Sequence, residues 1–200
     1  MPDPFIDPQD LSDFIGRDVT ADPGAIMVCD AACDLIRDLT EQEFNLSTST
    51  IRLDGTGTDC IVLPQAPVVA AGTVSVNGVT ITDYFLGNEG EGGVGQLFRG
   101  TTDGSGYGYG YGYSGYAGPV WPRGRRNIQV SYDHGYQVAG TVNEVPRSIR
   151  MVALMVAARF SVQGVATTET IGDATVTYST PAGELTANEQ RILYGYTHVF

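Results

Sequence analysis

The chain has 200 residues and no lysine, so all eleven of its basic residues are arginine. A P-loop, a Schiff-base site and a Ser–Lys pair each require a lysine, and these three chemistries are therefore excluded. Histidine is scarce as well, with only His134 and His198. Charged residues make up 17% of the chain, against 42% hydrophobic ones, which is typical of an ordered protein with a substantial core.

Cysteine is also rare, and its number is odd: Cys29, Cys33 and Cys60. An odd number argues against a closed disulfide framework. Cys29 and Cys33 lie four residues apart on a predicted helix and could face one metal ion together. No CxxC motif or histidine pair accompanies them, so we predict that they are buried small hydrophobes. The sequence indicates neither a metal nor a cofactor.

No apolar run is long enough for a membrane span. The longest, Met151–Ala158, has eight residues, against the roughly 20 that a bilayer requires. The acidic opening Met1-Pro2-Asp3 has no apolar core behind it, so we expect no signal peptide and a soluble protein made in the cytoplasm.

Negative charge is concentrated near the N-terminus. The net charge is −12; residues 1–60 carry 13 acidic residues against three arginines, whereas residues 61–200 carry ten against eight. A protein that grips a phosphate backbone needs a cationic surface, so nucleic-acid binding is disfavoured. We interpret most of these acids as a solvated face that aids solubility.

The stretch VPRSIRMVALMVAARFSV predicts a buried helix over residues about 146–162. Pro146 suits a first helical position because its missing N–H is not needed there. Apolar residues occupy every side of this helix, and a helix that is apolar all round is buried. We expect its own domain to cover one side and a neighbouring subunit the other. The candidate subunit-interface residues are Ile149, Val152, Met155, Val156 and Phe160.

Three more helices are predicted. PQDLSDFI, Pro8 to Ile15, is ended by Gly16, and Asp22-Pro23 begins a second helix that runs to about Leu39 or Phe44. Thr186 and Glu189 form a capping box for a last helix to about Gly195. On the second helix, the positions predicted to be apolar and buried are Ile26, Cys29, Ala32, Cys33, Ile36 and Leu39, and those predicted to face solvent are Asp30, Asp34, Arg37 and Asp38.

The middle of the chain is predicted to form antiparallel strands. Asn77-Gly78, between two alternating runs, is the strongest short hairpin signal. The predicted strands are Thr50–Leu53, Asp59–Leu63, Thr73–Val76, Val79–Thr82, Tyr84–Leu86, Gln96–Phe98 and Asn127–Tyr132, with a later one at Ala174–Tyr178. The expected class is α+β: a small helical bundle from residues 1–45 and 145–200 with an inserted β-region, 46–144.

A Gly/Tyr loop, GSGYGYGYGYSGYAG at Gly104–Gly118, interrupts the β-region. It contains a GxGxxG match at Gly110, but the strand, the helix and the acidic residue that a dinucleotide site needs are missing. Tyrosines spaced by glycine also occur in binding loops. A contact loop in an assembly and an unstructured insertion both remain open.

Two short motifs invite a functional reading. Arg123, Arg125 and Arg126 are the only basic cluster, and they could touch DNA, an acidic partner or a neighbouring copy, or form a turn with no partner. The negative net charge favours a protein contact over DNA.

Ser131, Asp133 and His134 are the three residue types of a catalytic triad, but residues in one short run cannot adopt the geometry that a triad requires. We predict that His134 is a hydrogen-bonded turn residue.

Four segments, taken in order, resemble the head-to-tail adaptor (head completion, connector) proteins of long-tailed bacteriophages that carry a β-rich insertion. They are DLSDFIGRDV with a helix ending DLIRDLT, AAGTVSVNGVTIT leading to DYFL, WPRGRRNIQVSYDHGY followed by VPRSIRMVALMVAARF, and ETIGDATVTYS with the closing helix. The resemblance implies a virion protein without catalytic residues. It would form a ring, twelvefold in this family, beneath the portal and would receive the stopper or tail around the DNA exit channel. The Gly/Tyr loop departs from the family pattern, and no function is carried over to it.

The resemblance also implies a portal contact at the C-terminus, made by Thr197, His198, Val199 and Phe200. A ring should not retain passing DNA, and an acidic lumen repels phosphates within a Debye length of about 8 Å. We therefore expect part of one acidic set to face the channel or the outer solvent: Asp22, Asp30, Asp34 and Asp38.

Other functions remain open at this point. The chain could be another neck component, a stopper or a tail terminator, although these are mostly β-barrels or α/β sandwiches without two opening helices. Trp121, eleven tyrosines and the Gly/Tyr loop suggest a carbohydrate-binding or surface-binding β-module. An enzyme with a pocket near Ser131 and His134 is a third class.

Overall fold

The computed structural model describes residues 3–87, 95–100, 119–136, 144–163, 168–171, 174–177 and 184–197. The helices are α1 (Pro8–Ile15), α2 (Pro23–Thr40), α3 (Arg147–Gln163) and α4 (Ala187–Tyr194). The strands are β1 (Ser47–Gly55), β2 (Cys60–Val62), β3 (Val68–Val76), β4 (Val79–Ile81), β5 (Tyr84–Gly87), β6 (Gln96–Arg99), β7 (Gly124–His134), β8 (Thr168–Ile171) and β9 (Ala174–Thr177).

The chain divides into two units. The helical unit comprises residues 1–45 and 137–200, and the β unit comprises residues 46–136. The second boundary lies eight residues before the one expected from the sequence, because the expected β-region ran to residue 144. Four helices and antiparallel sheets confirm the α+β class.

Local capping explains where α1 and α2 begin. The Asp7 side chain accepts the Asp10 N–H at 2.8 Å, and the Asp10 side chain accepts the Asp7 N–H at 3.2 Å. Asp22 caps α2 by accepting the Gly24 N–H at 2.8 Å. Gly16 ends α1 with φ +68°, a left-handed conformation that suits glycine. Both helix predictions are confirmed.

The inner face of α2 matches its apolar pattern only in part. Cys29, Ala32, Cys33 and Ile36 are buried as predicted, whereas Ile26 and Leu39, at the flanks of the stripe, are about half exposed. Arg37 was expected in solvent, and that prediction is wrong: the residue is only 9% exposed. The sequence pattern missed it because a long arginine can be buried when its guanidinium finds partners.

The guanidinium of Arg37 is held by three acceptors. Its Nε donates to Glu43 Oε1 at 3.0 Å and its Nη1 to Asp34 Oδ1 at 3.0 Å. Its Nη2 donates to the carbonyl oxygen of Asp3 at 2.5 Å, and the group lies over the Phe5 ring at 5.4 Å. Arg37 therefore fastens the chain before α1 to the end of α2.

Helix α3 packs against α1, α2 and α4. Its buried face consists of Ile149, Val152, Ala153, Val156 and Ala157. The predicted capping box of α4 is present, since the Thr186 side chain accepts the Glu189 N–H and the Glu189 side chain accepts the Thr186 N–H. The later predicted strand appears as β9, and it pairs with β8, which the sequence analysis did not separate from it.

The β unit contains two antiparallel sheets. One has the strand order β1–β7–β3–β4 and the other β2–β6–β5. The predicted hairpin is confirmed: Val76 pairs with Val79 across Asn77-Gly78, which have φ +52° and +82°, as a type I′ turn requires. The core contains Leu63, Val74, Leu97, Trp121, Ile128, Val130 and Tyr132.

No helix in the described part of the chain has the length and hydropathy that a bilayer crossing requires.

Candidate interaction surfaces

The outward side of α3 is apolar and partly exposed. Met151 is 45% and Met155 39% exposed, and Leu154 and Ala158 beside them are half-buried. At 3.6 residues per turn these four side chains form one stripe opposite the buried face. We call Met151, Leu154, Met155 and Ala158 the α3 outer stripe. It carries no charge over two turns of helix, which is unusual for a helix side that faces solvent.

The predicted subunit-interface set needs a correction. Ile149, Val152 and Val156 have no exposed surface, because α1, α2 and α4 of the same subunit pack against α3. They belong to the core of the helical unit and leave a neighbour nothing to touch. The periodicity identified the apolar helix but not which side its own unit would cover. Met155 is exposed and Phe160 half-buried, so the prediction for these two stays a prediction.

Two arginines of α3 fix the helix to its neighbours. Arg150 Nη2 donates to Asp10 Oδ1 on α1 at 2.8 Å. Arg159 forms a bidentate ion pair with Glu189 on α4, in which the Nη1–Oε1 distance is 2.8 Å and the Nη2–Oε2 distance is 3.0 Å. In the sequence these residues are charges at the two ends of the apolar stretch Met151–Ala158, and spacing along the chain gives no signal for such long-range partners.

Glu189 is itself almost wholly buried. Burial pushes its pKa upwards, but hydrogen bonds from Arg159 and Thr186 and the positive charge of Arg159 outweigh this, so its pKa lies below the ordinary value. The carboxylate is therefore ionised at neutral pH and serves both the cap of α4 and the link to α3.

The basic cluster lies at the start of β7, where the register of the pairing with β1 shifts between Leu53 and Gly55. Arg123, Arg125 and Arg126 are all exposed. Nearby, Asn127 Oδ1 accepts the Gly55 N–H at 2.9 Å and Asn127 Nδ2 donates to Pro122 O at 2.8 Å. We call residues 122–127 the arginine turn. Its exposure is compatible with the predicted partner contact, which stays a prediction.

The acidic set lies on and beside α2. Asp22 and Asp38 are exposed, and Asp30 and Asp34 are half-buried. Asp34 accepts from Arg37 at 3.0 Å, whereas Asp22 caps the helix. Asp30, Asp34 and Asp38 recur at four-residue steps and so share one side of α2. Whether that side faces a channel stays a prediction.

Of the predicted portal contact, only Thr197 lies within the described residues. Its Oγ1 donates to Leu193 O at 3.3 Å, which continues the end of α4. His198, Val199 and Phe200 lie outside the described residues, as does the whole Gly/Tyr loop, 104–118.

The structure does not arrange Ser131, Asp133 and His134 as a catalytic triad. His134 is the last residue of β7 rather than a turn residue, it is 1% exposed, and its Nε2 shares a hydrogen bond of 2.8 Å with Ser49 Oγ. Ser131 instead accepts from Thr50 at 3.3 Å. A buried imidazole with a strand serine holds β1 to β7 and has no surface that a substrate could reach.

The two helical thiols are buried. Burial, with smaller contributions from neighbouring groups, raises the pKa of Cys29 to about 12. Burial also raises the pKa of Cys33 to about 11, although backbone hydrogen bonds from Ile6 and Phe5 oppose it. Thiols ligate metals as thiolates. Among the described residues, no group of three or more His, Cys, Asp or Glu side chains is placed to hold a metal ion.

Trp121 is fully buried in the β unit, where its Nε1–H donates to Leu97 O at 3.1 Å. The guanidinium of Arg99 stacks on the ring at 5.5 Å. The residue that suggested a carbohydrate platform is thus part of the core.

No protein-family model matches the chain, and no curated protein matches it in sequence. Solved structures match its fold. A chain in the neck of a native gene transfer agent (GTA) particle, computed with C12 symmetry, is 12% identical, with a TM-score of 0.55 over 96% of this chain and 88% of that one. A chain in the neck of an empty GTA particle, computed with C6 symmetry, is 14% identical, with a TM-score of 0.59 over 98% and 91%. A chain of the native GTA virion gives 12% identity and a TM-score of 0.56 over 98% and 91%. This chain therefore shares its fold, over nearly its whole length, with chains of these particles.

Proposed function

We propose that the protein is a structural component of a phage-type neck, a head-to-tail adaptor that forms a ring below the portal and joins it to the stopper or tail. One observation carries the proposal: the fold matches chains of GTA neck particles across 98% of this chain and 91% of that chain. A match over both full lengths compares the whole architecture, including the inserted β unit, rather than one common motif.

The α3 outer stripe supports a ring. Exposed methionines on a helix side that carries no charge between Met151 and Ala158 are typical of a surface that is covered in an assembly. A cyclic ring places a second copy against each subunit. The matched neck structures were computed with C12 and C6 symmetry. We propose that the stripe faces a neighbouring copy.

The order of elements favours an adaptor over a stopper or a tail terminator. Helices α1 and α2 precede the β unit, and α3 and α4 follow it. The β-barrels and α/β sandwiches expected of the other two components do not have this bundle. The same bundle, with Trp121 inside the β unit, also disfavours a carbohydrate-binding module.

Partners and surfaces follow from the same proposal. The C-terminal residues Thr197 to Phe200 would contact the portal, and the arginine turn would contact a protein. The side of α2 with Asp30, Asp34 and Asp38 would face the DNA channel or the outer solvent, where carboxylates do not retain DNA. The protein would be located in the virion neck, have no enzymatic activity and bind no cofactor.

Imaging of purified particles would test the proposal. With the chain fused at Val79, an exposed hairpin position, to a small density marker, we expect a cyclic ring of extra density between portal and tail. Sedimentation with purified portal protein should show a stable complex, and a variant lacking residues 197–200 should lose it. Particles whose neck does not contain this chain would overturn the proposal, and a position at the distal tail end would favour a terminator.

A further inference from the structure

The arginine turn has the properties of a preformed docking element. We propose that it binds carboxylates on the helical unit of a second copy of this chain. This rests on the proposed function, because a ring places a second copy beside each subunit.

Within the part of the subunit that the structure describes, its guanidinium groups have no polar partner. Among the described residues, the side chains of Arg123, Arg125 and Arg126 form no hydrogen bond or ion pair. Arginines elsewhere do find acceptors: Arg37, Arg99, Arg150 and Arg159 each pair with a carboxylate at 2.8–3.0 Å. The chain thus uses buried or half-buried arginines for its own fold, and the exposed guanidinium groups of the arginine turn remain available.

The backbone of the turn is fixed independently of those side chains. Asn127 bridges Gly55 and Pro122, and the Arg126 N–H donates to Asp54 Oδ1 at 2.6 Å. A Cβ on Gly55 would lie 1.8 Å from the Pro122 carbonyl oxygen, so only glycine allows this approach. Arg126 has φ +50°, which a non-glycine residue adopts at an energetic cost. Costly backbone conformations that the surroundings enforce are concentrated at binding sites.

The charge distribution favours protein carboxylates over DNA phosphates. The helical unit carries 16 acidic residues against six arginines, a net −10, whereas the β unit carries seven against five, a net −2. Three arginines on one turn reach few phosphates, while DNA-binding proteins typically neutralise about 6–10. A guanidinium also matches a carboxylate with two parallel hydrogen bonds. In a cyclic ring each subunit contacts its two neighbours through two different patches. A cationic turn on one copy and an acidic surface on the next would be such a pair.

Charge reversal with a matched control would test the contact. We compare the full-length triple variant R123E/R125E/R126E with R17E/R52E/R191E, which changes the net charge equally at three other exposed arginines. Sedimentation velocity should show self-association about tenfold or more weaker in the first variant, since like charges would then face each other. The control should associate like the wild type, and added salt should weaken wild-type association. Equal loss in both variants, or a wild type that stays monomeric throughout its soluble range, would overturn the proposal.

Photo-crosslinking would identify the partner directly. A photoreactive residue in place of exposed Thr56, beside the arginine turn, should cross-link to peptides from residues 1–45 or 137–200. Mixing unlabelled and 15N-labelled chains shows that the link joins two copies. The same residue in place of Val79, at the β3–β4 hairpin, is the control and should give no such product. Cross-links only to an added DNA duplex, or only within one copy, would refute the proposal.

Failure here can be told apart from failure of the proposed neck role. If the R123E/R125E/R126E chain enters particle necks as a ring as efficiently as the wild type, the docking inference is wrong and the neck role stands. If the wild-type chain is missing from the neck, the proposed function is wrong, whatever the turn binds. The triple Arg→Lys variant keeps the charge but loses the planar fork, and it should give intermediate association.

Discussion

The helical unit and the β unit are held together by different interactions. In the helical unit, arginines join segments far apart in sequence: Arg37 holds Asp3, Arg150 holds Asp10, and Arg159 holds Glu189. In the β unit, two sheets enclose an apolar core around Trp121 and Tyr132. One unit therefore depends on specific polar pairs as well as on burial, and the other on burial and backbone pairing.

This difference matters for a protein that is proposed to work by assembly. The buried and half-buried arginines of the helical unit bind carboxylates inside that unit, and Arg99 does the same in the β unit. The three arginines of the arginine turn are exposed instead, on a backbone held by the side chains of Asn127 and Asp54. The same residue type thus stabilises the fold and equips this part of the surface.

The largest effect is expected at the centre of the β unit. Replacing Trp121 with alanine removes a fully buried ring and its hydrogen bond to Leu97 O, and should lower the free energy of unfolding by about 3–5 kcal/mol. Urea denaturation followed by circular dichroism measures this. Trp121→Phe keeps an apolar ring and should cost clearly less. A loss below about 1 kcal/mol in Trp121→Ala would show that the core does not depend on this residue.

The corresponding change in the helical unit is Arg159→Ala. It leaves the Glu189 carboxylate buried without its cation, and breaking such a pair costs up to about 3–5 kcal/mol when both partners are fully buried. Arg159 is 16% exposed, so we expect a smaller loss, about 2 kcal/mol. The control Arg191→Ala removes an exposed arginine of α4 and should change the free energy of unfolding by less than about 0.5 kcal/mol. Equal losses of stability in the two variants would contradict a stabilising role for the Arg159–Glu189 pair.

Sequence reasoning was most successful where local chemistry decides the structure. The caps at Asp22 and Thr186 and the Asn77-Gly78 turn each act within a few residues, and each was found at the predicted place. The pairs of Arg37 with Asp3 and of Arg159 with Glu189 were missed because residues 34 and 30 positions apart give no local signal of their contact. The buried side of α3 was also undetermined, since periodicity separates faces but does not say which neighbour covers which face. Trp121 was ambiguous for the same reason.

Acid should weaken the helical unit through Glu189. Its pKa is lower in the folded state than in the unfolded chain, where an ordinary glutamate titrates near 4.3. The stabilisation is therefore fully present above that pH, and it is lost as the pH falls through the lower folded value. We expect helical circular dichroism to show this loss in the wild type and a flatter pH dependence in Glu189→Gln. An unchanged pH profile in the variant would mean that other carboxylates dominate acid unfolding.

A smaller effect is expected at the β3–β4 hairpin. Gly78 has φ +82° with open space around it, so alanine there meets backbone strain and no clash. Gly78→Ala should lower the free energy of unfolding by about 1 kcal/mol. Asparagine tolerates positive φ better, and Gly78→Asn should cost less. Chemical denaturation monitored by fluorescence of Trp121, the single tryptophan, reports on this unit directly.

The smallest effect on stability is expected at the α3 outer stripe, where the largest effect on assembly is proposed. Glutamine has nearly the shape and helix propensity of methionine, so Met151→Gln with Met155→Gln should change the free energy of unfolding by less than about 0.5 kcal/mol. Self-association, followed by sedimentation, should nevertheless fall, because two amides would then have to be buried at the contact. Met27→Gln is the matched control, since Met27 is 72% exposed on α2 and lies outside the stripe. If the double variant assembles as well as Met27→Gln, the outer side of α3 faces solvent in the assembly, and the subunit contact has to be sought on another surface.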